Sequence, residues 1–439
     1  MTSRDSMSVF ARRRERLMEA MQGGVAIFPA APERVRSNDT HHPFRQDSDF
    51  FYLTGFTEPG AYLVLRPDHP KQRVTLYVRP RNPDMERWNG RRAGVRGAKN
   101  RHGADAAFET ERFISDLPSL LKGCETLYLR LGGDSALDES VIGQIAALRA
   151  RSRSGEHAPA RVVDPAPLLA EFRLLKSDEE VAMLEKAAAL TAAGHLAAMR
   201  RVKPGMYEYQ AQAEVEYQFR YGGSAGPAYG TICGSGVNAT ILHYVENDRR
   251  MKKGDLLLID AGAEYLGYAG DVTRTIPVGG VYSDSQRAVY KVVLAAQKAA
   301  IRKVKPGATF DQVHQAAVKK LTEGLIHLGL LKGKPAARIK DGSYRRFYMH
   351  RTSHWLGLDV HDAGRYQEDG GGSIRLMPGM VLTVEPGLYI DKDADLPAEY
   401  RGIGIRIEDD VLVTDDGCRV LTEAIPKEPA AIERVMAGG

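Results

Sequence analysis

Apolar and polar positions along the first third of the chain follow two periods. Residues 8–22 place Phe10, Leu17 and Met21 on one side of an expected amphipathic helix. Short apolar runs at 25–28, 61–65, 73–78 and 126–129 read as strands. Helical spacing near 113–121 and 139–149 alternates with them. The alternation predicts a small α/β domain ending near Arg161. A boundary follows over residues 163–173, where Asp164-Pro165-Ala166-Pro167 reads as stiff and helix-refusing. Ser177-Asp-Glu-Glu180 then has the form of a capping box and predicts a long alanine-rich helix over 179–200.

The pattern beyond that point repeats itself. Val202-Lys-Pro-Gly205 recurs as Val304-Lys-Pro-Gly307, each between an alanine-rich and an amphipathic helix. Lys253-Gly-Asp-Leu-Leu-Leu-Ile-Asp260-Ala-Gly262 resembles Pro378-Gly-Met-Val-Leu-Thr-Val-Glu385-Pro-Gly387. Two repeated motifs in the same order predict duplicated α/β halves. The expected fold class is α/β (α+β), with an N-terminal domain over residues 1–173 and a second domain over residues 174–439.

Composition narrows the picture. A chain of 439 residues suits two domains, and 43% hydrophobic with 27% charged residues is ordinary for a globular protein. The net charge of +5 is small for this length. The basic stretch from Arg91-Arg92 to Arg101 lacks interleaved aromatics and reads as a solvated loop, not a nucleic-acid surface. Cys124, Cys233 and Cys418 have no CxxC spacing, which argues against a disulfide framework or zinc knuckle. The N-terminus lacks signal-peptide order, and no apolar run approaches the ~20 residues of a membrane helix. A cytoplasmic protein, with no membrane or nucleic-acid partner, is expected.

The repeat aligns Asp260 with Glu385, each closing a strongly apolar strand. A lone charge there is costly to bury, so it must face solvent or find a cation. Residues 255–278 read as a β-hairpin. A turn centred on Tyr265 and Leu266 would set Asp260 directly opposite Asp271, where like charges repel unless a cation lies between. A second strand pair carries Glu385 and Glu408, joined by a polar loop over 391–401. Alternation puts Arg406 and Glu408 on one face. Taken singly, each Asp is more simply a turn carboxylate, and Glu408 a surface ion pair. His350, His354 and His361 crowd one segment, with His243 upstream; His41, His42 and His157 read as ordinary surface residues. Carboxylates with imidazole suit Mn2+, Co2+, Fe2+ or Zn2+. Two such ions about 3.5–4 Å apart can activate water and polarise a carbonyl.

With these residues in view, the chain resembles the pita-bread metallopeptidases, in their aminopeptidase P (Xaa-Pro aminopeptidase) branch. The carriers are Asp260, Asp271 in Gly-Asp-Val-Thr-Arg-Thr, His354, Glu385 in Glu-Pro-Gly and Glu408 in Arg-Ile-Glu-Asp. Ser353-His-Trp-Leu-Gly-Leu-Asp-Val-His-Asp362 and Phe44-Arg-Gln-Asp-Ser-Asp-Phe-Phe-Tyr-Leu-Thr-Gly-Phe56 resemble that branch more than prolidase. The resemblance implies two divalent metal ions, Mn2+ first, with Co2+, Zn2+ or Fe2+ as alternatives. It implies that Asp260 chelates one metal, that Asp271 and Glu408 bridge both, and that His354 and Glu385 complete the second. Glu385 also takes a proton from the bridging water. His361 and His243 hold the scissile peptide, His350 supports the proline side, and Arg406 and Tyr389 orient Asp260. The implied reaction removes the N-terminal residue from peptides with proline second, by attack of a metal-bridging hydroxide. A homo-oligomer, tetramer or dimer, is also implied. The alternatives are prolidase, which cleaves only dipeptides ending in proline, and a non-catalytic pita-bread binding module.

Overall fold

The computed structural model describes residues 3–392 and 395–438, so residues 393 and 394 of the expected 391–401 loop lie outside the described residues. The chain divides into two compact units, residues 1–170 and 171–439. In the first, a six-stranded sheet runs in the order Ala106–Glu109, Val74–Val78, Tyr62–Leu65, Val25–Pro29, Thr126–Tyr128, Arg161–Val163. The helices Arg112–Leu121 and Ser135–Ala150 bury Phe113, Leu117 and Val141 against Val25, Ile27 and Leu127. The opening helix, Ser3–Ala20, buries Leu17 as its periodicity demands. His41, His42 and His157 are exposed.

Two expectations need correction. The basic stretch is not a loop throughout: Gly94–His102 is a helix, with Ala98 buried beneath its charged face. The proline-rich stretch does not refuse helix either. Residues Ala166–Leu174 are helical, Pro165 and Pro167 sit at the helix start, and Leu169 N–H already donates to the Pro165 carbonyl. Proline is tolerated in a first turn because the N–H it lacks has no partner there anyway. The division between the two units falls inside this helix.

The second unit is duplicated. Ser177 and Glu180 form the expected capping box, starting the helix Asp178–Arg201. That helix packs beside Glu208–Tyr221, as Asp284–Ile301 packs beside Phe310–His327. The two Val-Lys-Pro-Gly turns dock identically: Gly205 N–H donates to the Met251 carbonyl (2.8 Å) and Gly307 N–H to the Leu376 carbonyl (2.9 Å). Both glycines have positive φ. One half carries the antiparallel sheet Ile232–Ser235, Leu256–Asp260, Thr273–Pro277; the other carries Val381–Val384, Asp409–Val413, Cys418–Val420. Leu257, Ile259 and Ile276 of one half share a single buried core with Ile405 and Ile407 of the other. Among the described residues, no helix is long and apolar enough to cross a membrane.

Register decides where the carboxylates fall. The first hairpin turns on Leu266 and Gly267, both at positive φ, because Tyr265 pairs with Tyr268. Asp260 therefore opposes Thr273, not Asp271. Asp271 lies two residues along, on the same face, as a diagonal neighbour. In the other half the ladder pairs Val384 with Asp409 and Gly387 with Arg406, so Glu385 and Glu408 face each other between these paired positions.

Close backbone approach makes this possible. A Cβ on Gly262 would stand 1.6 Å from the Gly270 carbonyl oxygen, and one on Gly404 2.0 Å from that of Ala239. The tight Gly-Ile-Gly strand is thus pressed against the turn Gly236–Thr240. Gly262→Ala is expected to destabilise the fold by more than about 3 kcal/mol, since the obstruction is backbone that cannot rotate away. Gly143→Ala, on an exposed helix face with nothing within 4 Å, should instead stabilise by roughly 0.5–1 kcal/mol. Denaturant midpoints of the two variants check both signs.

Candidate metal and substrate site

The strand ends of the second unit open into one cavity of about 890 Å3. Asp260, Asp271, Glu385, Glu408, Arg406, His243, His350, His354 and His361 all line it. The sequence-predicted site residues, scattered over more than a hundred positions, are therefore brought together. Asp271, His354 and Glu408 converge most tightly, each offering a ligand atom within 4.8 Å of the others.

Each group is held by a partner. His354 Nδ1 donates to the Trp355 carbonyl (3.0 Å). That fixes the tautomer and aims Nε2 at Asp271 Oδ2 (3.3 Å) and Glu385 Oε1 (3.6 Å). Arg406 is the hub of the opposite wall. Its Nη2 pairs with Asp260 Oδ2, its Nη1 donates to Tyr389 Oη (2.9 Å) and its Nε donates to Thr273 Oγ1 (3.0 Å). Thr273 in turn donates to Glu408 Oε2 (2.7 Å). Tyr389 Oη also donates to His350 Nε2 (2.9 Å), because His350 Nδ1 donates to the Arg351 carbonyl (2.7 Å). Below Glu408, buried Arg274 donates to the Glu408 carbonyl and pairs with Asp409 (2.7 Å), fixing the strand. The loop bearing His361 is anchored by Asp362, which Arg173 (2.5 Å) and Lys176 (2.9 Å) both reach. His361 packs edge-on against His354, with ring centroids 4.4 Å apart.

The electrostatics favour a cation. Burial raises the pKa of Glu408 well above the usual carboxylate value, and the charges of Asp271, Glu385 and Asp260 add to the shift. Burial likewise raises Asp271 and pushes Glu385 up to about 7, against the opposing pull of His354 and Arg406 on Glu385. Burial alone would lower His354, but the hydrogen bond and charge of Asp271 carry it up to about 9. Burial holds His350 neutral, down to about 3. Crowded carboxylates that bind protons this readily are a donor set for divalent metal, and hard oxygen with one imidazole fits the ions expected from sequence.

Three contributors escaped the sequence reading. Tyr229 Oη lies 2.6 Å from Asp260 Oδ1 and 2.5 Å from Asp271 Oδ1. Thr273 links Arg406 to Glu408, and buried Asp410 accepts the Asp271 N–H (3.1 Å). A polar side chain facing the strand end was visible for Thr273; for Tyr229 no local signal existed.

A fold of two duplicated halves with this donor cluster at their strand ends is that of a metallopeptidase. The Metallopeptidase family M24 profile matches residues 182–415, and the Aminopeptidase P, N-terminal domain profile matches residues 10–128. The chain belongs to metallopeptidase family M24. It is 46% identical to the Xaa-Pro aminopeptidase of Escherichia coli (strain K12), over 98% of each chain. It is 42% identical to that of Haemophilus influenzae, over 97% of this chain and 96% of the relative. The solved structure of Pseudomonas aeruginosa aminopeptidase PepP superposes with a TM-score of 0.97 at 46% identity, over 98% of each chain.

Proton linkage gives a test of the cluster. Glu385 and His354 both have folded pKa values raised above their unfolded ones, so their protonated forms favour the fold and that stability is lost as pH rises through about 7 and about 9 respectively. Metal-free protein should therefore melt at falling temperature from pH 6.5 to 9. The gain in melting temperature on adding Mn2+ should widen over the same range, because fewer protons compete with the metal. Thermal unfolding in chelator and in Mn2+ at three pH values measures this; a gain that shrinks with pH would contradict a metal held by these groups.

Proposed function

We propose that this metallopeptidase releases the N-terminal residue from peptides whose second residue is proline, with two divalent ions, Mn2+ first among them. The observation that carries this is the convergence of Asp271, His354 and Glu408, with Asp260 and Glu385 beside them, in a cavity large enough for a short peptide. The likeness to Xaa-Pro aminopeptidases over nearly the whole chain supports it. Asp260 and Asp271 would hold one ion, His354 and Glu385 the other, with Asp271 and Glu408 shared between them. Bound there, the ions would supply Lewis acidity: they polarise a peptide carbonyl and lower the pKa of water.

The chain's own residues would do the rest. Glu385, on the cavity wall beside His354, accepts a proton and returns it to the leaving nitrogen. His361 and His243, on the cavity wall, present ring N–H groups to the carbonyl oxygen as charge develops. The proline nitrogen is a tertiary amide without N–H, so the site selects it by shape. His350 is kept neutral and held by Tyr389 and the Arg351 carbonyl, which suits it to line the proline side without adding charge. We further place the protein in the cytoplasm, consistent with three free cysteines, and expect it to act as a homo-oligomer.

Hydrolysis of matched Xaa-Pro-Yaa, Xaa-Pro and Xaa-Ala-Yaa peptides, with and without Mn2+, tests the proposal. Metal-dependent release of Xaa from the proline tripeptide alone, or from it and the dipeptide, is expected. Cleavage confined to the dipeptide would mean a prolidase, and no cleavage with any metal a binding module. Glu385→Gln should lower kcat by about 10²–10⁴-fold; full activity in that variant would overturn the assigned role.

A further inference from the structure

The five acidic and imidazole groups are not held alike. Asp271, His354 and Glu408 already converge, whereas Asp260 is turned toward Arg406, which takes its Oδ2. The hairpin register explains the separation: Asp260 opposes Thr273, and Asp271 is only its diagonal neighbour. Diagonal positions lie about 7–8 Å apart, so the two carboxylates meet only where both side chains are turned toward each other. Backbone pairing alone therefore does not bring Asp260 to the triad.

The link is Tyr229. It comes from a separate segment, just after the short strand Gly226–Pro227, which pairs with Ala263 and Glu264. The Ala228 N–H donates to the Gly262 carbonyl (2.8 Å), setting the segment against the strand that follows Asp260. From there the hydroxyl sits between Asp260 Oδ1 (2.6 Å) and Asp271 Oδ1 (2.5 Å). One hydrogen serves two acceptors. Asp260 is thereby clamped between Tyr229 and Arg406, and Asp271 between Tyr229 and His354.

We infer that Tyr229 is the positioning residue that ties Asp260 to the Asp271–His354–Glu408 triad and so creates the second metal position. This rests on the metal-holding role proposed above. Removing the hydroxyl takes one partner from each aspartate, but Asp271 keeps His354 (3.3 Å) and its place beside Glu408, so the first ion keeps its site with at most a few-fold loss. Asp260 then answers only to Arg406, which draws it away. Groups that orient a metal ligand typically contribute 10–100-fold to affinity.

The test is Mn2+ titration of the full-length protein by calorimetry, for the natural sequence and Tyr229→Phe, with Mn2+ electron paramagnetic resonance to tell single from paired ions. Phe keeps the ring and deletes one oxygen, and circular dichroism with the metal-free melting temperature reports whether the variant folds. The expected result is two sites in the natural protein and, in Y229F, a first site changed by no more than a few-fold with the second weakened about 10–100-fold. Activity of Y229F should return to within a few-fold of the natural kcat when Mn2+ is raised to saturate that site. Equal affinities in Y229F, or equal loss at both sites, would overturn the inference. So would a kcat that stays low at saturating Mn2+, since that would put the hydroxyl in the chemistry. Failure of the natural protein to bind any Mn2+ would instead overturn the reading of the site itself. Should Y229F not fold, Asp260→Asn gives the second arm. It keeps the strand and must weaken only the second site; a loss at the first would overturn the separation of the two positions.

Discussion

Four carboxylates, those of Asp260, Asp271, Glu385 and Glu408, are forced into one cavity where water screens them poorly. At such separations their mutual repulsion outweighs what any single hydrogen bond returns. Everything around them addresses that repulsion. Arg406 supplies one built-in positive charge, His354 a second when protonated, and Tyr229 and Thr273 supply neutral donors. What remains is an excess of negative charge that a pair of divalent ions would neutralise. A metal held there would for that reason be coupled to fold stability.

The supporting charges are separated from the site by purpose-built pairs. Arg274 is fully buried, yet it faces Asp409, donates to two backbone carbonyls of the C-terminal segment and pins the strand that presents Glu408. Lys427 and Gln297 also reach Asp409; against the effect of burial, the charges of Arg274 and Lys427 hold this carboxylate below its usual pKa, while burial and then the charge of Asp271 push its neighbour Asp410 up. Adjacent aspartates on one strand point to opposite faces and meet opposite environments. Likewise Asp362 satisfies Arg173 and Lys176 beneath Gly357, where any side chain would collide with its carboxylate. Buried pairs of this kind add little net stability, but breaking one leaves an unpaired charge in the interior. Their effect is to hold the segments bearing Glu408 and His361 in one arrangement.

Much of the site is legible in the sequence. Apolar runs ending in Asp260 and Glu385 announce strands whose last residue faces a special environment, because an isolated charge cannot end a buried strand without a partner. The two Val-Lys-Pro-Gly turns announce duplication, and they dock through equivalent hydrogen bonds. Alternation places Arg406 with Glu408, and both line the cavity. These features are local: side-chain period, turn glycines and capping pairs depend on a few neighbouring residues.

What the tertiary structure decided was longer in range. The hairpin turn lies one residue beyond its expected centre, because Leu266 adopts a positive φ that its type does not advertise, and register moves Asp260 opposite Thr273. The proline-rich stretch is a helix start and the basic stretch a helix, each settled by where the chain goes next. Tyr229 reaches Asp260 and Asp271 across 31 and 42 residues, and Thr273 reaches Glu408 across 135. By itself the sequence determined which faces are apolar, which strands carry carboxylates and that the halves repeat, since those follow from the period of a chain of fixed geometry. Which carboxylates converge, and which neutral donors hold them, was left to packing, because a hydrogen bond between distant segments leaves no mark on the residues beside either partner.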